Sequence, residues 1–71
     1  MKQPVFTKRE TEVLQLICLG HTNTQIAKIL NISISTAKIH VASIFQKLGV
    51  NNRILATIKY LKISKDFELW L

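Results

Sequence analysis

The sequence predicts an all-α domain built from four helices. Apolar residues recur at helical spacing along most of the chain, and hydroxyl or amide side chains stand where a helix would start. Pro4, Gly20 and Gly49 separate the helical patterns from one another. The 71 residues are enough for one small domain, placed at 1–71, with a helical core at about 6–62 and a C-terminal tail at 63–71.

The first predicted helix begins at Thr7. The run TKRE from Thr7 to Glu10 fits a capping box, in which the threonine hydroxyl accepts from the amide three residues later and the glutamate reaches back. An apolar side then follows at helical spacing, formed by Val13, Leu14 and Ile17.

The second predicted helix begins at Thr22, where TNTQ is another capping box. Its apolar side is about two turns long and comprises Ile26, Ala27 and Leu30. The three residues 31–33 then interrupt the pattern. A connection of this length between two helices is typical of a helix-turn-helix.

The third predicted helix begins at its cap, Ser33, and ends at Gly49. At about 100° per residue, one side of helix 33–48 is apolar: Ala37, Val41, Ile44, Phe45 and Leu48. The opposite side holds Ser35, Ile39, Ala42, Ser43 and Gln46, with Lys38 and Lys47 at its margins.

Small uncharged groups between two lysines suit a surface that approaches DNA. Short polar side chains and apolar contacts with thymine methyls read bases in the major groove, and cations attract the flanking phosphates. Ile39 is therefore interpreted as a base-reading residue. The alternative is an ordinary exposed face, because single apolar residues are common on protein surfaces.

The fourth predicted helix begins near Asn52 and runs to about Leu61 or Lys62. It is apolar nearly all round, which is typical of a helix buried on more than one side. Ala56 and Tyr60 are assigned to the domain's own core. A second stripe is predicted to form a homodimer interface, with Ile54, Leu55, Ile58 and Leu61 as its residues. The alternative cover for this stripe is the tail, through Phe67, Leu69, Trp70 and Leu71.

The charge balance points to a polyanionic partner. Ten Lys and Arg against four Asp and Glu give a net charge of +6, and the sequence pI is about 9.9. Such a footprint is typical of nucleic-acid binding. The alternative interpretation is that the basic balance only aids solubility, or that it reflects one piece of a longer protein.

The sequence lacks the residue patterns expected for membrane insertion, secretion, metal binding or catalysis. No apolar run is long enough for a membrane span, and no secretory signal is visible, so a cytoplasmic protein is expected. His21 and His40 lack metal-ligand spacing, and Cys18 is expected to be a buried structural residue. His21 is taken as a solvent-facing loop residue. No metal, cofactor or enzymatic activity is predicted.

Four groups of residues in the stretch from Phe6 to about Tyr60 resemble the LuxR-type helix-turn-helix domain. The opening matches at Thr7, Arg9, Glu10, Glu12, Val13 and Leu14, and the second helix at Gly20, Asn23, Ile26 and Ala27. The third helix matches at Ile32, Ser33, Thr36, Lys38 and His40, and the end at Lys47, Leu48, Gly49, Val50, Asn52, Arg53 and Ala56. The family includes output domains of bacterial response regulators and short stand-alone regulators, and the sequence leaves open which of the two this chain is.

The resemblance implies a four-helix fold whose middle two helices form the helix-turn-helix. It implies that Lys38, Ile39 and Ala42 face bases or phosphates, and that Thr36, His40 and Lys47 lie at or near the DNA backbone. For His40 the alternative is a bond to a backbone carbonyl. Glu10 and Arg53 are expected to pair across the bundle.

Two positions depart from the family pattern. Ala37 replaces the usual valine, and Ala42 stands where many relatives carry a larger polar or cationic residue. With Ile39 and Ala42 both apolar, the hypothesis is a readout weighted to thymine methyls and groove shape.

The predicted function is a sequence-specific, double-stranded DNA-binding transcriptional regulator that inserts helix 33–48 in the major groove. The predicted DNA-binding residues are Asn23, Thr24, Ser35, Thr36, Lys38, Ile39, His40, Ala42, Ser43, Gln46 and Lys47. A homodimer on DNA is expected, and RNA polymerase is a further candidate partner. The alternative function is a protein-interaction module that contacts the transcription machinery without reading DNA.

Overall fold

The computed structural model describes residues 4–63 and contains four helices in that range. They are α1 (Lys8–Cys18), α2 (Asn23–Leu30), α3 (Ile34–Leu48) and α4 (Arg53–Ile63). Residues 4–63 include no β-strand, so the all-α prediction is confirmed. The proposed cover by Phe67, Leu69, Trp70 and Leu71 lies outside the described residues.

The predicted caps start the first three helices. Thr7 and Thr22 each accept a bond from the amide three residues later, and Glu10 and Gln25 complete the two capping boxes. Ser33 accepts from the Thr36 amide at 3.0 Å. These contacts satisfy amides that the first turn of a helix leaves without an intrahelical partner.

The turn between α2 and α3 depends on Asn31. This residue has φ +57°, and its amide donates to the Ala27 and Lys28 carbonyls at the end of α2. Asparagine is one of the few non-glycine residues that adopt the left-handed conformation readily. Asn31 therefore ends α2 abruptly, and after the three residues 31–33 the chain continues as α3, which packs against α2.

The core lies where α3 meets the other helices, because α3 packs against α1, α2 and α4. Its fully buried side chains are aliphatic, with the large ones supplied by Val13, Leu14, Ile26, Ile44 and Leu48. Ala37 is also fully buried, so the small residue sits at the packed centre of the bundle. With α3 held along its inner side, its outer side is left facing away from the bundle.

Helix α4 packs on the core by one side only. Ala56 is its one buried residue among Arg53–Ile63, with Tyr60 and Ile63 half-buried against the core. Burial on more than one side, expected from the all-round apolar pattern, is not found among residues 4–63. Its first turn is capped by Asn52, whose Oδ1 accepts from the Leu55 amide at 2.9 Å. Among residues 4–63, no helix is both long and apolar enough to cross a membrane.

Candidate nucleic-acid interface

The outer side of α3 is exposed along its length. Ile39 is 67% exposed. Its neighbours on the same side are also exposed: Ser35, Lys38, Ala42 and Gln46. These five residues are called the outer face below. Had Ile39 and Gln46 been packed in the bundle, α3 would have had no free surface to present to a groove.

Thr36 and His40 lie at the edge of the outer face. Both are half-buried. The Thr36 hydroxyl oxygen accepts from the Ser33 hydroxyl at 2.8 Å, which leaves the Thr36 hydroxyl hydrogen available as a donor. These edge positions suit contact with a DNA backbone that flanks the groove.

Ser43 and Lys47 are bonded to Glu10 of α1. The Ser43 hydroxyl donates to Glu10 Oε2 at 2.5 Å, and Lys47 Nζ lies 2.6 Å from Glu10 Oε1. The same Oε1 accepts the Thr7 amide at 2.9 Å. Three donors therefore converge on one carboxylate, which is only 5% exposed. The helical wheel alone implied that both side chains point freely outward. In the structure neither does, because both are bonded to Glu10.

These donors stabilise the charged form of Glu10. The bond from Lys47 has the largest effect, followed by those from Ser43 and Thr7, and together they lower the pKa of the carboxyl from 4.5 to about 2. Burial acts in the opposite direction but is outweighed. Glu10 is therefore ionised at neutral pH.

Lys47 also holds the segment before α1. Its ammonium donates to the Val5 carbonyl at 3.0 Å and lies 5.8 Å from the centre of the Phe6 ring, within the range of a cation–π contact. The second ion pair among residues 4–63 joins Arg9 to Glu12 at 3.4 Å. Within that range Lys38 takes part in no ion pair, and its charge remains on the outer face.

The expected pair between Glu10 and Arg53 is not formed. Arg53 Nη1 donates to the His21 carbonyl at 3.3 Å, and Nη2 donates to Asn23 Oδ1. The reason is one of position: Glu10 in the first turn of α1 faces α3, whereas Arg53 opens α4 and faces the junction between α1 and α2. His21 is half-buried at this junction rather than a solvent-facing residue.

Two DNA-binding residues were predicted on α2, and one of them has a free side chain in the structure. Thr24 is exposed near the start of α2, whereas Asn23 is half-buried and its side-chain oxygen is taken by Arg53. Asn23 therefore helps to fix the start of α2 against α4. Its amide nitrogen still has hydrogens to donate.

The second predicted surface, the stripe on α4, is also exposed. The exposed fractions are 73% for Ile54, 45% for Leu55, 46% for Ile58 and 37% for Leu61. A groove of about 330 Å³ runs between this stripe and α1, lined in part by Cys18 and Thr57. Cys18 is half-buried there, less than expected, and burial raises the pKa of its thiol despite a bond to Thr57.

The fold and the outer face define a helix-turn-helix domain. The chain belongs to the luxR family of bacterial regulatory proteins, whose family model, GerE, matches residues 4–60. The resemblance seen in the sequence is thereby confirmed.

Relatives of two lengths are similar to this chain. The nitrate/nitrite response regulator protein NarP of Escherichia coli K12 is 45% identical over 58 residues, which are 82% of this chain and 27% of NarP. The spore germination protein GerE of Bacillus subtilis 168 is 38% identical over 63 residues, which are 89% of this chain and 85% of GerE. The chain thus spans about a quarter of NarP but most of GerE.

A solved structure has the same fold. The crystal structure of the response regulator ChrA, from a heme-sensing two-component system, superposes with a TM-score of 0.80 and is 37% identical. The match covers 87% of this chain and 31% of ChrA. The similarity therefore concerns one domain of that longer protein.

Proposed function

We propose that this chain binds double-stranded DNA sequence-specifically, with α3 inserted in the major groove, and thereby regulates transcription in the bacterial cytoplasm. The observation that carries the proposal is the exposed outer face of α3, which combines Ile39 and Ala42 with Lys38, a lysine that takes part in no ion pair among residues 4–63. A major groove is wide enough to admit an α-helix. The net charge of +6 supplies attraction to phosphates.

The residues of the outer face have different proposed roles. Ile39 and Ala42 are placed against thymine methyls, because both present only aliphatic carbon. Ser35 and Gln46 supply short polar groups for base edges or backbone. Lys38, at the margin, is placed at a phosphate.

Further contacts are proposed along the DNA backbone. Thr36 and His40, at the edge of the outer face, are placed near phosphates together with Asn23 and Thr24 at the start of α2. The amides at the start of a helix also favour an anion. Ser43 and Lys47 continue this same edge towards the end of α3, where both are bonded to Glu10.

The α4 stripe is proposed as a homodimer interface. Four large aliphatic residues lie exposed on one helix, and exposed apolar patches often mark partner surfaces. A two-fold arrangement would place two α3 helices on half-sites about one helical turn apart. RNA polymerase remains a candidate partner, and no contact among the described residues favours a protein-interaction module over DNA binding.

Selection from a random pool of duplexes tests the proposal. The chain should enrich a defined sequence, and its affinity for that duplex should fall steeply with salt in a mobility-shift assay, because phosphate contacts release counterions. Lys38→Ala should reduce the salt slope by about 0.9, the value for one phosphate contact. A pool with no enriched sequence would contradict specific binding, and G-rich sites lacking A·T pairs opposite Ile39 would contradict methyl readout.

A further inference from the structure

Glu10 joins the start of α1 to two residues that lie one turn apart on α3. Oε2 takes Ser43, and Oε1 takes Lys47. These are the closest side-chain polar contacts between the two helices, at 2.5 Å and 2.6 Å. Because residues four apart stack on one side of a helix, two bonds along that side oppose both rotation and sliding of α3.

The Glu10 carboxylate is also bonded within its own helix start, by Thr7. The Thr7 amide donates to the same carboxylate at 2.9 Å, and the Thr7 hydroxyl accepts from the Glu10 amide at 3.1 Å. The capping box therefore fixes the carboxylate relative to α1 before α3 is bonded to it. Slipping α3 by one residue would move its side chains by about 1.5 Å and 100°, which breaks both bonds and turns the outer face away.

On this geometry, and given the proposed DNA-binding function, we propose that Glu10 is a positioning residue for the outer face. We further infer that Lys47 acts on DNA binding through Glu10, not as a phosphate ligand. Ser43 lies beside the outer face and shares this role.

The contacts of Lys47 argue against a free phosphate ligand. Its ammonium has three donors, of which one goes to Glu10 and one to the Val5 carbonyl, while the Phe6 ring lies alongside. Moving it to a phosphate would strip the cation from a carboxylate that is 5% exposed. The Lys47 side chain is itself 35% exposed, so the cost falls on Glu10, whose nearly buried carboxylate would be left without its cation.

The test is a double-mutant cycle on the full chain with Glu10→Gln, Lys47→Met and the double variant. Lys38→Met, alone and combined with Glu10→Gln, is the matched control, since Lys38 is also a lysine of α3 but is not bonded to Glu10. Affinity is measured for two duplexes of equal length: one carries the sequence selected by the unmodified chain, and the other a scrambled sequence. All measurements are made at a temperature where circular dichroism shows each variant folded.

We expect Glu10→Gln and Lys47→Met each to lower the ratio of specific to scrambled affinity roughly tenfold, comparable to losing one base contact. The double variant should be no worse than the poorer single variant. Lys47→Met should leave the salt slope unchanged, whereas Lys38→Met should lower it by about 0.9. The fold losses of affinity caused by Glu10→Gln and Lys38→Met should multiply in the double variant, because these two residues act independently.

Two results would overturn the inference. If the losses from Glu10→Gln and Lys47→Met multiply, and Lys47→Met lowers the salt slope by about 0.9, Lys47 is a phosphate ligand. If affinity falls equally for both duplexes although each variant is folded, a sequence-independent contact has been lost and Glu10 does not position the outer face. Should Lys47→Met not fold, Ser43→Ala replaces it in the same cycle. Failure of the unmodified chain to select any sequence would instead remove the proposed function.

Discussion

At the scale of single residues, Glu10 combines three tasks in one carboxylate. It completes the α1 capping box, bonds Ser43 and neutralises Lys47. The sequence shows the first task, because TKRE is a local pattern. The other two are invisible to it, because residues more than thirty positions apart are brought together only by the packing of α1 on α3.

The lowered pKa of Glu10 makes the stability of the domain depend on pH. The bonds to the carboxylate favour the folded state above the ordinary pKa of 4.5, and this stabilisation is lost as the pH falls towards about 2. We expect Glu10 to contribute on the order of 2 kcal/mol of pH-dependent stability across that window. Urea unfolding at neutral pH and at about pH 3 measures it.

The comparison variants for this pH effect are Glu10→Gln and Glu12→Gln. Glu10→Gln should flatten the pH dependence in the acid range, because the amide does not titrate. Glu12, in an exposed pair with Arg9, contributes little, so Glu12→Gln should keep the dependence of the unmodified chain. Equal curves for Glu10→Gln and the unmodified chain would show that Glu10 is not the titrating group.

Ile39 is predicted to affect recognition without affecting stability. Because its side chain is 67% exposed, Ile39→Ala should change the free energy of unfolding by no more than about 0.5 kcal/mol. Affinity for the selected duplex should fall by about 1 kcal/mol if a thymine methyl is lost as a partner. Leu19→Ala, at an exposed position after α1, is the control and should alter neither quantity. Unchanged affinity for Ile39→Ala would remove this residue from the interface.

At the scale of helices, local side-chain chemistry sets where each element begins. Thr7, Thr22 and Ser33 all cap the helices that the sequence predicts from them. The sequence pattern predicts an interruption at residues 31–33 without singling out Asn31 as the residue that ends α2. Its type gave the available signal, since asparagine is favoured in the left-handed conformation when no glycine follows a helix.

The cap of the proposed recognition helix is predicted to stabilise the whole domain. Ser33→Ala removes the acceptor of the Thr36 amide and should lower the free energy of unfolding by about 1 kcal/mol. Ser33→Asn should restore it, because asparagine is an equally good cap. Ser35→Ala changes an exposed serine of the same helix that caps nothing and should be neutral within about 0.5 kcal/mol. Thermal and urea unfolding compare the three variants; equal loss for both alanine variants would contradict a capping role.

At the scale of the whole molecule, a chain of 71 residues has little margin in its core. A domain of this size buries only about 60% of the surface that the unfolded chain exposes. Among residues 4–63 the apolar stripe on α4 is left exposed, and the proposed second copy of the chain would bury it.

Ile58→Glu is predicted to separate folding from dimerisation. Ile58 is 46% exposed, so a charged side chain can reach water in the monomer but not in a packed interface. The fold should persist by circular dichroism, while cooperative binding to a duplex with two half-sites about one helical turn apart is lost. Ile29→Glu is the matched control, since Ile29 is similarly exposed at 52% but lies on α2. Cooperative, dimeric binding by the Ile58→Glu variant would place the interface elsewhere.

The sequence by itself determined the helices, their caps, the inner side of α3 and the family. These follow from short-range chemistry: capping groups act within three residues, and burial imposes the helical period on apolar residues. Only the tertiary structure decided which polar groups meet. It paired Glu10 with Ser43 and Lys47, and Arg53 with Asn23 and the His21 carbonyl. The physical reason is that such pairs depend on how whole helices are rotated against each other, which no local pattern specifies.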